Sequence, residues 1–458
     1  MMLKVGNSDF LLEKIRQGET LTRGEMFRLI VSLSIPSILA QITSVVMFFI
    51  DQAMVGRISV EAAAACGLVE TSTWLCGSLT SAASMGFSVQ VAHAIGANDF
   101  PRARSLFRHA LLCTLGFSAL IGVFGLVISG RLPYWLGGGA DIAGDATTYF
   151  AVFMMVMPFF QLSGLSGAML KCSGNMRIPS VVSVMTCVLD VVFNYILVFV
   201  FHLGVLGIAL GTAFAIVIGA VVQGYYAVFR SNILSLIGRT ERFTFNIDYV
   251  WNALKISAPM ALQSILMSSA QIVSTIIVAP LGNIAIAANT FAITAESLCY
   301  MPGYGIGDAA TTLVGQSIGA GRRELCRSFA RMSVFSGMVV MTLMGAIMYV
   351  SATELMALMT PMAAIYNLGA SVLRIEAFAE PFFAASIVSY CVFLGAGDTL
   401  KPAIMNLCSM WFVRLSLAAI LARDYGLKGV WTAMAIELTF RGTIFLWRLF
   451  SEKWIKIK

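Results

Sequence analysis

Asp51 interrupts an apolar run in "FFIDQAMVG" (48–56), and Asp190 does the same in "VLDVVFNYILVF" (188–199). Asn194 follows Asp190 by four residues, so on a helix the two share one face. Thr212 lies in "GIALGTAFA" (207–215) and Glu70 in the second apolar run. Two carboxylates in a low-dielectric setting cannot both stay ionised cheaply; one takes a proton, or a cation binds between them. Oxygens of Asn194 and Thr212 would complete a hard-cation shell, so Asp51, Asp190, Asn194 and Thr212 are the expected site for H+ or Na+. Such a site would couple to an ion gradient. The alternative reading is a satisfied structural network, with Asp51 an interfacial acid facing water.

Further charges stand in apolar surroundings. An acid at a bilayer centre costs about 2.5–3.5 kcal/mol on insertion scales. Glu296, Glu380 and Asp308 have no partner nearby in sequence. Glu70, Glu296 and Glu380 are the expected contacts for a cationic ligand, with a structural role as the alternative. Glu437 and Arg441 are spaced i,i+4 and are expected to pair, while Arg414 has Glu376 and Arg374 at comparable depth.

The elements that must position these residues are membrane spans. Of 458 residues, 59% are hydrophobic and 12% charged, against about 25% charged in an ordinary soluble protein. Apolar runs of bilayer-spanning length, roughly 20 residues, recur throughout. They are continuous rather than alternating, which excludes a barrel. The composition predicts an all-α polytopic membrane protein with spans near 28–52, 61–93, 106–130, 147–170, 178–202, 206–230, 251–279, 284–318, 328–350, 364–394, 402–421 and 428–450. Residues 1–27 read as an N-terminal tail, 28–230 as a first six-span lobe and 231–250 as a polar linker. A second six-span lobe follows at 251–450, then a tail at 451–458.

The net charge of +7 reflects Lys and Arg in short loops rather than a nucleic-acid surface. The tails, the even loops and the linker hold 23 of these residues; the odd loops hold four, Arg57, Arg131, Arg423 and Lys428. Both termini are therefore expected in the cytoplasm, with the lipid bilayer as the main partner. The mixed-charge N-terminal segment has no apolar core, so the first span is expected to act as the insertion signal. The nine cysteines lie mostly in apolar runs without a CxxC, so neither disulfides nor a metal cluster are expected. "GAGRRE" (319–324) lacks the spacing of a phosphate loop.

The two halves repeat at one offset, 223 residues. Pro36 meets Pro259, "HAIGAN" (93–98) meets "QSIGAG" (316–321), and Arg104 and Arg108 meet Arg327 and Arg331. Pro158-Phe159-Phe160 meets Pro381-Phe382-Phe383, and Gly174 meets Gly397. With six spans each, the halves share one orientation, so a pseudo-two-fold along the membrane normal is expected. Residues that repeat read as scaffold. Asp51 maps to Ser274, Asp190 to Val413 and Asn194 to Leu417, so this polar set belongs to the first half alone.

"DQAMVG" ending span 1, "IGAN" and "IGAG" after spans 2 and 8, "GNMRIP" and "GDTLKP" before spans 5 and 11, and "GVLGIALGTA" opening span 6 occur in order along the chain. With them the sequence resembles the multidrug and toxic compound extrusion (MATE) transporters over nearly its full length. The resemblance implies two lobes in alternating access and secondary antiport: organic cations or drugs out, H+ or Na+ in, in a bacterial or archaeal plasma membrane, with no other cofactor. Asp51 matches the family's span-1 acid and Thr212 the span-6 threonine of the DinF-like branch. That branch carries Asn then Asp on span 5, where this chain carries Asp190 then Asn194. A NorM-like branch has an acid on span 7 and another late on span 10. Span 7 here has none, and Glu376 and Glu380 fall early on span 10.

A flippase of lipid-linked precursors is the alternative transporter, but it would want a cationic cavity, and here buried acids outnumber buried arginines. A membrane enzyme would want clustered His, Ser or Asp, whereas His93, His109 and His202 are scattered at span ends. A channel would not need an acid pocket in one half only. No nucleic-acid partner and a monomeric state are expected.

Overall fold

A computed structural model describes residues 6–236 and 244–456. Residues 237–243 of the expected linker, 1–5 of the N-terminal tail and 457–458 of the C-terminal tail lie outside the described residues. The described residues are helical throughout, without strands. The helices are α1 (Gly6–Gln17), α2 (Arg23–Gly56), α3 (Val60–Gly96), α4 (Phe100–Ile128), the single turn α5 (Leu132–Trp135), α6 (Ala140–Cys172), α7 (Arg177–Tyr195) and α8 (Gly204–Tyr225). Then come α9 (Ile247–Val278), α10 (Asn283–Gly319), α11 (Arg323–Met359), α12 (Ala363–Glu376), α13 (Glu380–Gly395), α14 (Leu400–Cys408) and α15 (Leu415–Ser451). Wide π-turns extend α7 over Ile196–Val200 and join α14 to α15 over Ser409–Arg414.

Every expected span falls on these helices. The tenth is bent by 62° between α12 and α13, where Pro381 at the start of α13 cannot continue the hydrogen bonding of the preceding helix. The eleventh and twelfth share the stretch Leu400–Ser451 and part at Gly426, whose φ of 57° no other residue adopts cheaply. Nine helices among the described residues are long and apolar enough to cross a membrane, ten with the bent pair counted as one span. Ser- and Thr-rich α3 is not among the nine.

The chain divides into two compact units, Thr43–Ala261 and Met1–Ile42 with Leu262–Lys458. The repeat-related helices α2 and α9 each begin in one unit and end in the other.

Within the second of these units, the start of α2 is held to α10. Gly305 packs so closely that a Cβ there would lie 2.6 Å from the backbone nitrogen of Ile38, the small-residue approach membrane helices use. Ser37 Oγ donates to Asp308 Oδ2 at 2.6 Å and the Gln41 amide reaches the same oxygen at 3.5 Å. Asp308, without a neighbour in sequence, therefore finds its partners on α2.

Paired landmarks have paired structural roles. Asn98 (φ 57°) and Gly321 (φ 70°) are both left-handed, as are Gly174 (φ 92°) and Gly397 (φ 75°). They end α3, α10, α6 and α13 at matching places. The Arg-x3-Arg pairs brace the segment that follows the last helix of their half. Arg104 donates to the Ile233 carbonyl at 3.2 Å. Arg327 and Arg331 grip Glu452 at 2.6 and 2.9 Å, and Trp454 beyond it is buried against Phe393.

Candidate functional site

The site assembles in the Thr43–Ala261 unit, from the end of α2, the middle of α7 and the start of α8. Helix spacing puts Asp190 and Asn194 one above the other on α7. Both side chains are fully buried, and Asp51 and Thr212 are half-buried. The Asn194 amide nitrogen donates to Asp51 Oδ1 at 3.0 Å and to Asp190 Oδ2 at 3.2 Å. Asn194 thus spends both amide protons on the two carboxyl groups, bridging α2 to α7. Thr212 and Asp51 both lie beside Asp190.

What is left over defines the chemistry. Asp190 Oδ1 and Asn194 Oδ1 are buried and meet no donor among the described residues. Buried polar atoms are almost always satisfied, and an unsatisfied one marks a functional or ligand-binding place. Two unsatisfied oxygens, one a carboxyl and one an amide carbonyl, suit a proton or a small hard cation.

The approach of α8 to α7 depends on Gly211. A methyl group there would stand 2.8 Å from the backbone nitrogen of Asn194 and 3.1 Å from its Cα. Gly211→Ala is therefore expected to force the two helices apart, to cost about 1–3 kcal/mol as overpacking does, and to uncouple transport. Gly164→Ala, in open space on α6, should leave both unchanged. Thermal unfolding in detergent, followed by tryptophan fluorescence, separates the two variants.

Glu70 stands apart from the Asp51–Asn194–Asp190 chain: it accepts from Trp74 Nε1 at 3.3 Å and from the Gln52 amide at 3.5 Å. Tyr149 on α6, which sequence reading missed, lies close to Asp51, Glu70 and Asp190 together. Its 223-residue counterpart is Val372, so the comparison of halves that singled out Asp51 would have found it too.

Glu296 and Glu380 belong to the other unit. Glu296 on α10 faces Arg414 and Arg441. Glu376 and Glu380, at the two sides of the 62° bend, are fully buried, and none of their four oxygens meets a hydrogen-bond donor at bonding distance. The Cys299 thiol is the polar group beside Glu380. Glu437 pairs with Arg441 at 3.0 Å and accepts from Ser409 Oγ at 2.5 Å. Arg414 donates to Met434 Sδ. Arg374 turns away to Tyr349 and Thr353 on α11 rather than joining Arg414.

Long apolar helices in two repeated sets, with unsatisfied carboxyl groups buried inside each unit, define a polytopic membrane protein built around intramembrane acids. The MatE family model matches residues 36–196 and again 259–420, two matches whose starts are offset by the same 223 residues as the internal repeat. The chain belongs to the MatE family and is a MATE family transporter.

Among curated relatives, a probable multidrug resistance protein NorM of Thermotoga maritima is 25% identical, with 94% of each chain covered. One of Neisseria meningitidis is 27% identical over 92% of this chain and 93% of that one. An FAD transporter of Shewanella oneidensis is 22% identical over 91% and 92%. The fold is shared with the outward-facing conformation of a multidrug resistance MATE family transporter of the MOP superfamily (TM-score 0.88, 21% identity, 93% and 97% covered). It is shared equally with a MOP superfamily transporter from Pyrococcus furiosus (TM-score 0.88, 20% identity, 99% and 100% covered).

Proposed function

We propose that this chain is a secondary multidrug antiporter that exports organic cations in exchange for H+ or Na+, with the coupling ion held by Asp51, Asp190, Asn194 and Thr212. The observation that carries this reading is the bridged carboxyl pair with two buried oxygens left unsatisfied. An ion entering there neutralises the site, and cationic cargo competes for the same negative charge. Differential affinity of this kind is what lets a ligand shift a two-state equilibrium. In the other unit, Glu296 and Glu380 offer further negative charge to cationic cargo, as Glu70 does in the first. The names of the curated relatives, most of them multidrug resistance proteins, support drug efflux. The excess of Lys and Arg in even loops supports a plasma-membrane orientation with both termini cytoplasmic.

Proteoliposomes loaded with a cationic dye test this reading, with a pH gradient and a Na+ gradient imposed separately. Efflux driven by at least one gradient is expected. Equal efflux with neither gradient contradicts antiport.

A further inference from the structure

A cleft of about 350 Å3 opens on the face of α2 and α7 that carries no site residue, walled by Ile50, Ala53, Met54 and Arg57 on one side and Tyr195 and Phe199 on the other. The first four are spaced as one helix face and the last two as another. All but Arg57 present apolar surface to it, and the two aromatic rings lie 5.5 Å apart. Arg57 sits just past the end of α2, exposed, and its side chain pairs with no described residue. No acid lines the cleft.

We propose that this cleft seats one acyl chain of a membrane phospholipid with a net-negative headgroup, its phosphate resting on Arg57. Its volume falls in the usual range of ligand pockets, about 300–1,000 Å3. One guanidinium at the end of an apolar trough matches an amphiphile with one anionic end. The absence of a lining carboxylate leaves nothing to hold the ammonium of a zwitterionic headgroup. Arg57 is one of four basic residues in the odd loops, so on the Lys/Arg orientation the lipid comes from the outer leaflet.

The cleft also backs directly onto the ion site. Ile50 precedes Asp51 and Tyr195 follows Asn194, the two residues hydrogen-bonded across α2 and α7. A chain lodged here packs both helices beside that bond and holds the seam together.

Native mass spectrometry of the purified full-length protein tests this, titrated with phosphatidylglycerol and with phosphatidylcholine. Retention of phosphatidylglycerol over phosphatidylcholine is expected. Arg57→Gln should weaken it about fivefold, the contribution of one basic residue at an anionic surface. Ala53→Phe, which fills the trough from its exposed rim, should abolish it, and Arg131→Gln in another odd loop should not. Circular dichroism checks that the variants fold. Equal retention by wild type, Arg57→Gln and Ala53→Phe overturns the proposal. So does displacement of the lipid by millimolar inorganic phosphate, which would make Arg57 a simple anion contact.

Discussion

Asp51→Asn and Asp190→Asn are each expected to reduce gradient-driven efflux to the rate of protein-free vesicles. Both substitutions keep the size and shape of the side chain. Asn194 can still donate to an amide oxygen at either position, so the bridge between α2 and α7 survives and the protein should fold and insert normally. What disappears is the charge. An amide neither takes a proton at physiological pH nor contributes a negative charge to a bound Na+. With one carboxyl group left, the site still binds weakly but no longer exchanges an ion for cargo. Dye binding in the absence of a gradient separates loss of coupling from loss of cargo recognition. Unchanged transport in both variants contradicts the first-unit site.

The second large effect concerns stability. Arg441→Met is expected to cost about 3–5 kcal/mol, because it leaves Glu437 as a buried charge without its partner. Glu437 is fully buried and its oxygens are held by Arg441 and Ser409. The double variant Glu437→Leu with Arg441→Met should recover most of that loss, since replacing a whole buried pair by apolar residues is often neutral. Thermal unfolding in detergent decides: a single variant no less stable than the double one would mean that the pair does not fix α15 in place. The same experiment on Glu380→Gln should show little change, because no partner is orphaned when that side chain loses its charge.

Much of this architecture could be read from the sequence because a bilayer leaves few choices. Backbone groups in hydrocarbon must be bonded within their own segment, so long apolar runs become helices with little ambiguity. The bend in the tenth span was not legible, since Pro381 marks a break without giving its angle. Nor was the exchange of α2 and α9 between compact units, which depends on close approaches such as Gly305 to Ile38.

At the candidate site, helix spacing gave the Asp190–Asn194 face, and the comparison of halves showed that the scaffold does not require these residues. Their convergence with Asp51 is a tertiary fact that spacing could not supply. Neither could spacing show that Glu70 would bond Gln52 and Trp74 instead. The same comparison applied more widely marks Tyr149, Glu296, Glu376 and Glu380, whose counterparts are Val372, Thr73, Phe153 and Met157. Unrepeated polar residues in a repeated scaffold are thus the most informative signal in this chain. The span-5 pair reads Asp then Asn, yet Asn194 still reaches both acids. Reversal of the DinF-like order is therefore compatible with a bridged site.

Ion release on cargo binding tests the central claim most directly. Purified protein in weakly buffered or Na+-loaded solution is mixed with a cationic dye, and the freed H+ or Na+ is measured. The account predicts release by the wild type, and none by the Asp51→Asn, Asp190→Asn double variant despite normal folding. Equal release by that variant would contradict it and move the coupling site elsewhere in the molecule.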